Sequence, residues 1–167
     1  MGGVLVVLVV TLLTAAQPIA TDLYLAALPS IRSEYGAPVS VVQLTLSLVV
    51  LSFGLSQLLW GPAADRFGRR PVAIAGFALY ATGALVGALA PSIDVLIAAR
   101  IAQGVGVAAC TVCGRAMVRD LFEPAQGTHV MASAMTALAS VTMLVPVVGA
   151  LLASHLGWRA TLLSMAI

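Results

Sequence analysis

The chain alternates long apolar runs with short charged links, and that alternation leaves few folds open. Crossing the roughly 30 Å of a bilayer's hydrocarbon takes about 20 mainly apolar residues. Five runs qualify, over residues 4–28, 39–60, 71–90, 93–118 and 129–153, and a sixth begins at Trp158. Bare strands cannot satisfy their backbone groups in lipid, whereas helices do so internally. The expected fold class is therefore all-α, a polytopic membrane helix bundle with five full spans plus the start of a sixth. Composition agrees: 8% of residues are charged, against about a quarter in a soluble domain. The first run lacks a basic start, is too long for a signal peptide and contains Asp22, so it reads as a span.

The placement of the few charges is informative. All eight basic residues are arginines. The links at 61–70 and 119–128 carry or border five of them: Arg66, Arg69, Arg70, Arg115 and Arg119. The links at 29–38, 91–92 and 154–157 carry or border Arg32 and Arg159. Arginine-rich links stay in the cytoplasm, so the amino terminus is expected there too. Cys110 and Cys113 form a C-x-x-C inside an apolar run. With no second pair and no nearby histidine, they read as two small buried residues. His129 and His155 sit near helix ends and read as interfacial residues. No metal site is expected.

Asp22 and Arg100 lie inside spans, where charge is costly and marks function or pairs with its opposite. Asp22 is six residues from Leu28 and Arg100 is six from Asp94. At 1.5 Å per residue both lie roughly 9 Å from the same face. Two readings stand: a static buried pair that fixes helix packing, or a proton-coupling pair. Burial raises a carboxyl pKa and a nearby arginine lowers it, so a changing separation would couple proton binding to conformation. Gln103, Gln17 and Tyr24 are candidates to line a cavity or to orient Asp22.

The stretch GPAADRFGRRP, residues 61–71, holds a large part of the charge. Gly61 and Pro62 are expected to end a helix, Gly68 to permit a second turn, and Pro71 to open the next helix. The offsets resemble the signature loop between the second and third helices of the major facilitator superfamily. RIAQGVGVA, from Arg100, resembles the fourth-helix motif of that family. TDLYLAALPSI from Thr21 and GRAMVRDLF from Gly114 resemble its drug–proton antiporter branch, of the bicyclomycin and chloramphenicol resistance type. Pro146 and Gly149 resemble part of the fifth-helix antiporter motif and are expected to bend that helix; Val145 and Ala150 stand where the motif has glycines.

The resemblance spans essentially the whole chain and implies the amino-terminal half of a transporter, residues 1–167, with helices one to three and four to six as inverted repeats. It implies a cytoplasmic gate built from Gly61, Asp65, Arg66, Gly68, Arg69, Arg70 and Asp120. Asp65 would face a helix amino terminus in a carboxy-terminal half outside this sequence, and Arg69 would pair with Asp120. The implied function is proton-coupled efflux of hydrophobic drugs by alternating access in the bacterial inner membrane. The implied partners are a small hydrophobic drug or metabolite, protons, the lipid bilayer and that carboxy-terminal half. No cofactor, nucleic acid or enzymatic activity is expected, since there are no paired acids, no nucleophile with a base and no phosphate loop. The alternatives are a truncated or accessory membrane protein that transports nothing, and a metabolite symporter of the same fold.

Overall fold

A computed structural model describes the backbone of residues 2–166 and the side chains of residues 6–166. Among these residues the fold is all-helical, in the order α1 (Gly2–Pro18), a π-helical turn (Ile19–Leu23), α2 (Leu28–Tyr35), α3 (Val39–Phe67), α4 (Arg69–Ala88), α5 (Ile93–Leu121), α6 (Pro124–Leu156) and α7 (Trp158–Ala166). Five of the helical segments are long and apolar enough to cross a membrane.

The centre of the bundle is α5. It packs against α4, α3 and α1, and it buries residues around most of its circumference, including Leu96, Gln103, Val107 and Cys110. A helix apolar on all sides belongs in the middle of a bundle. Small residues make that crowding possible. A Cβ on Gly106 would come within 2.6 Å of the Gly76 carbonyl oxygen, and one on Gly104 within 2.4 Å of the Val49 carbonyl oxygen. The backbones of α4 and α3 thus lie directly on α5, as close packing in lipid favours. Cys110 and Cys113 are free thiols buried in the same helix.

Opposite in character are α3 and α6, which leave long apolar faces exposed. Leu58 and Leu59 in α3, and Met143 and Leu144 in α6, are each more than half exposed.

The helices outrun the apolar runs that announce them. The second run reads as ending at Gly61 and Pro62, yet α3 continues through both to Phe67. Proline removes one backbone donor, but here the loss falls close to a helix end. The Trp60 indole N–H donates to the Val105 carbonyl at 2.8 Å and ties this turn to α5. The real break is Gly68, with φ 93° and ψ 157°, a conformation essentially confined to glycine. Because α4 starts at Arg69, Pro71 is its third residue rather than its first. That position also lacks an intrahelical donor role. Gly157, with φ 83° and ψ 162°, makes the same joint between α6 and α7. Most of the link expected at 29–38 is helical: Leu28–Tyr35 form α2, closed by Gly36 in the left-handed region. α6 runs unbroken through Pro146.

Candidate functional site

The end of α1 is where backbone, charge and packing meet. Pro18 has no N–H to give to the preceding turn, and the helix widens into the π-helical turn that follows. Such widenings gather at functional sites. On the other side of this turn, Gly149 of α6 approaches so closely that a Cβ there would lie 2.5 Å from the Leu23 carbonyl oxygen. Gly149 therefore acts as a packing residue for the turn.

Arg100 grips the turn from α5. It is fully buried. One Nη donates to the Ala20 carbonyl at 2.5 Å, and the other donates to Gln103 Oε1 at 2.7 Å. The guanidinium lies 4.1 Å over the Tyr24 ring, a cation–π contact that counts for more when desolvated. Its Nε has no hydrogen-bond partner. Tyr24 is held in turn, its hydroxyl donating to Thr45 of α3 at 3.0 Å. A cation so deep in a helix bundle, with no carboxylate on it among the described residues, is an expensive arrangement.

Asp22 projects from the same turn and is half-buried. Its carboxylate accepts the Thr21 hydroxyl at 3.0 Å. The ion pairs among the described residues join Arg69, Arg119 and Arg159 to acids, and none joins Asp22 to Arg100. The static pair allowed by the sequence is therefore not formed here. Arg100 reaches the turn that carries Asp22 through the backbone.

The proposed cavity residues separate. Tyr24 and Gln103 are enclosed and position Arg100. Gln17 borders an open cavity of about 350 Å³, within the range of small-ligand sites. Three helices line it with stripes at helical spacing: Thr14, Gln17 and Pro18 from α1, Thr111 and Arg115 from α5, and Met135, Leu138, Ala139 and Thr142 from α6. Phe53 of α3 also lines it. Of these, only Gln17 was singled out from the sequence. The α6 residues at i, i+3, i+4 and i+7 that line it include a single polar one, Thr142, so no polar stripe in the sequence marks the cavity. A larger groove of about 770 Å³ lies between α1 and α4; its lining is apolar apart from Arg70 and Arg69, and Arg69 is already engaged by Asp65 and Asp120.

The charged cluster lies at the arginine-rich end. Arg69 at the start of α4 holds Asp65 of α3 at 2.5 Å and Asp120 of α5 at 2.9 Å. One guanidinium thus ties three helix ends together. Asp65 and Asp120 keep 63% and 42% of their side-chain surface exposed, so both retain a free side. Arg66 stacks over Phe67 at 5.3 Å, and Arg70 borders the apolar groove. Gly61 has open space around it.

A profile of the Major Facilitator Superfamily matches residues 10–167. The chain belongs to that superfamily. It is therefore a multi-pass membrane protein of a transporter family. It is 39% identical over 140 residues to a chloramphenicol resistance protein of Pseudomonas aeruginosa, covering 83% of this chain and 33% of that protein. It is 33% identical over 153 residues to multidrug resistance protein D of Escherichia coli, covering 92% of this chain and 39% of that one. A major facilitator antiporter of Candida albicans is 31% identical over 157 residues, covering 94% of this chain and 22% of its own. The chain spans well under half the length of these relatives.

Proposed function

We propose that this bundle is the amino-terminal part of a proton-coupled exporter of small hydrophobic drugs, working by alternating access in the inner membrane of a bacterium. The observation that carries the reading is the half-buried Asp22 on a π-helical turn whose Ala20 carbonyl is gripped by the buried Arg100. An acid inside a span is a functional residue by default, and a widened turn is a natural hinge. Proton binding at Asp22 removes a negative charge from a segment that a guanidinium holds by its backbone. The change in that hold is passed to α5 through Gln103 and to α6 through Gly149.

On this reading the Asp65–Arg69–Asp120 cluster is the gate. The distribution of arginines supports a cytoplasmic side for this end of the bundle and for the amino terminus. A carboxylate with a free side is favoured at a helix amino terminus, so Asp65 is suited to latch a second bundle. Gly61, Arg66, Gly68 and Arg70 complete the loop, with Gly68 as its joint. The second bundle covers the exposed apolar faces of α3 and α6. The drug assignment rests on the names of the relatives: chloramphenicol resistance, multidrug resistance and antiporter.

The test is export driven by a proton gradient in inside-out vesicles. They would carry this chain alone, or this chain joined to the carboxy-terminal remainder of the Pseudomonas aeruginosa relative. Accumulation of chloramphenicol by the joined protein, collapsed by a protonophore, supports the reading. Folded, inserted protein that moves no drug under any gradient contradicts it and favours a bundle that only binds partners. Import driven by the gradient favours a symporter.

A further inference from the structure

We propose that the cavity between α1, α5 and α6 selects organic anions with an apolar body, and that Arg115 is the residue that sets this preference. The inference deepens the transport reading and rests on it.

Three groups that border the cavity have unspent hydrogen-bonding capacity. Thr111 is 3% exposed, and its hydroxyl has no partner among the described residues. The neighbouring Thr14 hydroxyl, by contrast, spends itself on the Val10 carbonyl at 2.7 Å. Gln17 makes no side-chain hydrogen bond among the described residues, its contact with Thr21 being through the backbone carbonyl. Arg115 stands one turn along α5 from Thr111 and is in none of the ion pairs of the described residues. A buried hydroxyl without a partner is costly, and a ligand that supplies acceptors relieves it.

Charge decides the ligand class. Among the described residues no carboxylate borders this cavity, nor the cleft of about 690 Å³ that continues from Arg115 between α5 and α6 to Arg119 and Phe122. A cationic amphiphile would meet only positive charge there. An anion would meet a planar guanidinium suited to a carboxylate or phenolate. Phe53, Leu138 and Met135 supply the apolar wall for its body, and methionine adapts to bodies of differing shape.

The experiment is equilibrium binding of three compounds of one shape to the full chain in nanodiscs of uncharged lipid, with empty discs subtracted. The compounds are 2-naphthoate, 2-naphthamide and the 2-naphthyl trimethylammonium ion. The expected result is naphthoate binding about tenfold or more tighter than naphthamide, the size of a single charged hydrogen bond, with the ammonium weakest. Arg115→Gln erases the ratio and leaves naphthamide binding in place. Arg115→Lys restores part of it. Arg32→Gln, at the other end of the bundle, leaves it unchanged. Equal binding of naphthoate and naphthamide, or a ratio that survives Arg115→Gln, overturns charge selection alone. If none of the three binds to protein of normal helicity, the cavity is not a ligand site and this inference falls, while the transport reading, which rests on Asp22 and Arg100, is decided by the vesicle test above.

Discussion

Arg69 and Arg159 hold matching positions at opposite ends of the bundle. Each follows a glycine joint of positive φ, Gly68 or Gly157. Each takes a carboxylate from the end of another helix, Arg69 from Asp120 of α5 and Arg159 from Glu34 of α2. At Glu34 the clasp is reinforced, since the Trp158 indole N–H donates to the same carboxylate at 2.5 Å, and the Tyr35 hydroxyl donates to the Ala90 carbonyl at 2.7 Å. A transporter that opens one end at a time needs a fastening at each. We expect Arg69→Ala to speed backbone hydrogen exchange at residues 61–70 and 119–123 and to leave residues 29–38 unchanged. Arg159→Ala should do the reverse. Exchange that rises at both ends in either variant would show that the two fastenings are not independent.

The clasp at Glu34 is sensitive to acid in a defined direction. The Trp158 and Arg159 hydrogen bonds hold its carboxyl below the usual glutamate range. A carboxyl lowered on folding contributes stability that is complete above its unfolded value, about 4.3, and is lost as pH falls through the lower folded value. The clasp therefore stays closed at neutral pH and loosens only in acid. In a Trp60→Phe background, Trp158 is the sole tryptophan. Its fluorescence should stay constant from neutral pH down to the ordinary glutamate range and change below it. Glu34→Gln should abolish that change.

Close approach at Gly104 predicts intolerance of a single methyl group. An added Cβ would lie 2.0 Å from Ser52 Oγ as well as 2.4 Å from the Val49 carbonyl oxygen. The hydroxyl can turn away, but the backbone carbonyl cannot. Gly104→Ala should lower stability in detergent by about 1–3 kcal/mol, the usual cost of overpacking. Gly54 has open space around it, so Gly54→Ala should be neutral or stabilising by up to about 1 kcal/mol.

Arg100 and Asp22 should separate structure from coupling. Arg100→Lys cannot reproduce the fork that reaches Ala20 and Gln103 together. We expect it to lower the melting temperature by roughly 5 °C, the scale of about 2 kcal/mol in a chain of this length, and to speed hydrogen exchange at Ile19–Leu23. Asp22→Asn keeps the shape of the side chain and its place beside Thr21. It should melt within about 2 °C of the unchanged protein, since only a half-exposed contact is altered.

Much of the fold was legible because lipid leaves so few solutions: five apolar runs demand helices, and five long helices are what the chain makes. Helix ends were less legible. Gly61 and Pro62 carry the local marks of a stop, but the Trp60 contact with Val105, 45 residues away, and the positive φ of Gly68 decide where α3 ends. That Arg100 lies inside a span could be read along the chain, and it is buried in the bundle. Its backbone partner could not be read, because the Ala20 carbonyl is offered to α5 by the π-helical turn that follows Pro18. The cavity was mostly missed for a related reason. Thr14, Thr111, Arg115 and Thr142 are unremarkable in sequence and acquire meaning only when three helices bring them to one place.

The central claim is that Asp22 carries the coupling proton while Arg100 holds its turn. The direct measurement is gradient-driven chloramphenicol accumulation in inside-out vesicles by the joined protein, with and without Asp22→Asn, at matched expression. The account predicts that Asp22→Asn abolishes the dependence on the proton gradient while substrate binding and folding persist. Uptake by Asp22→Asn that still follows the gradient would contradict it, and would make the α1 turn a structural element with the proton site elsewhere.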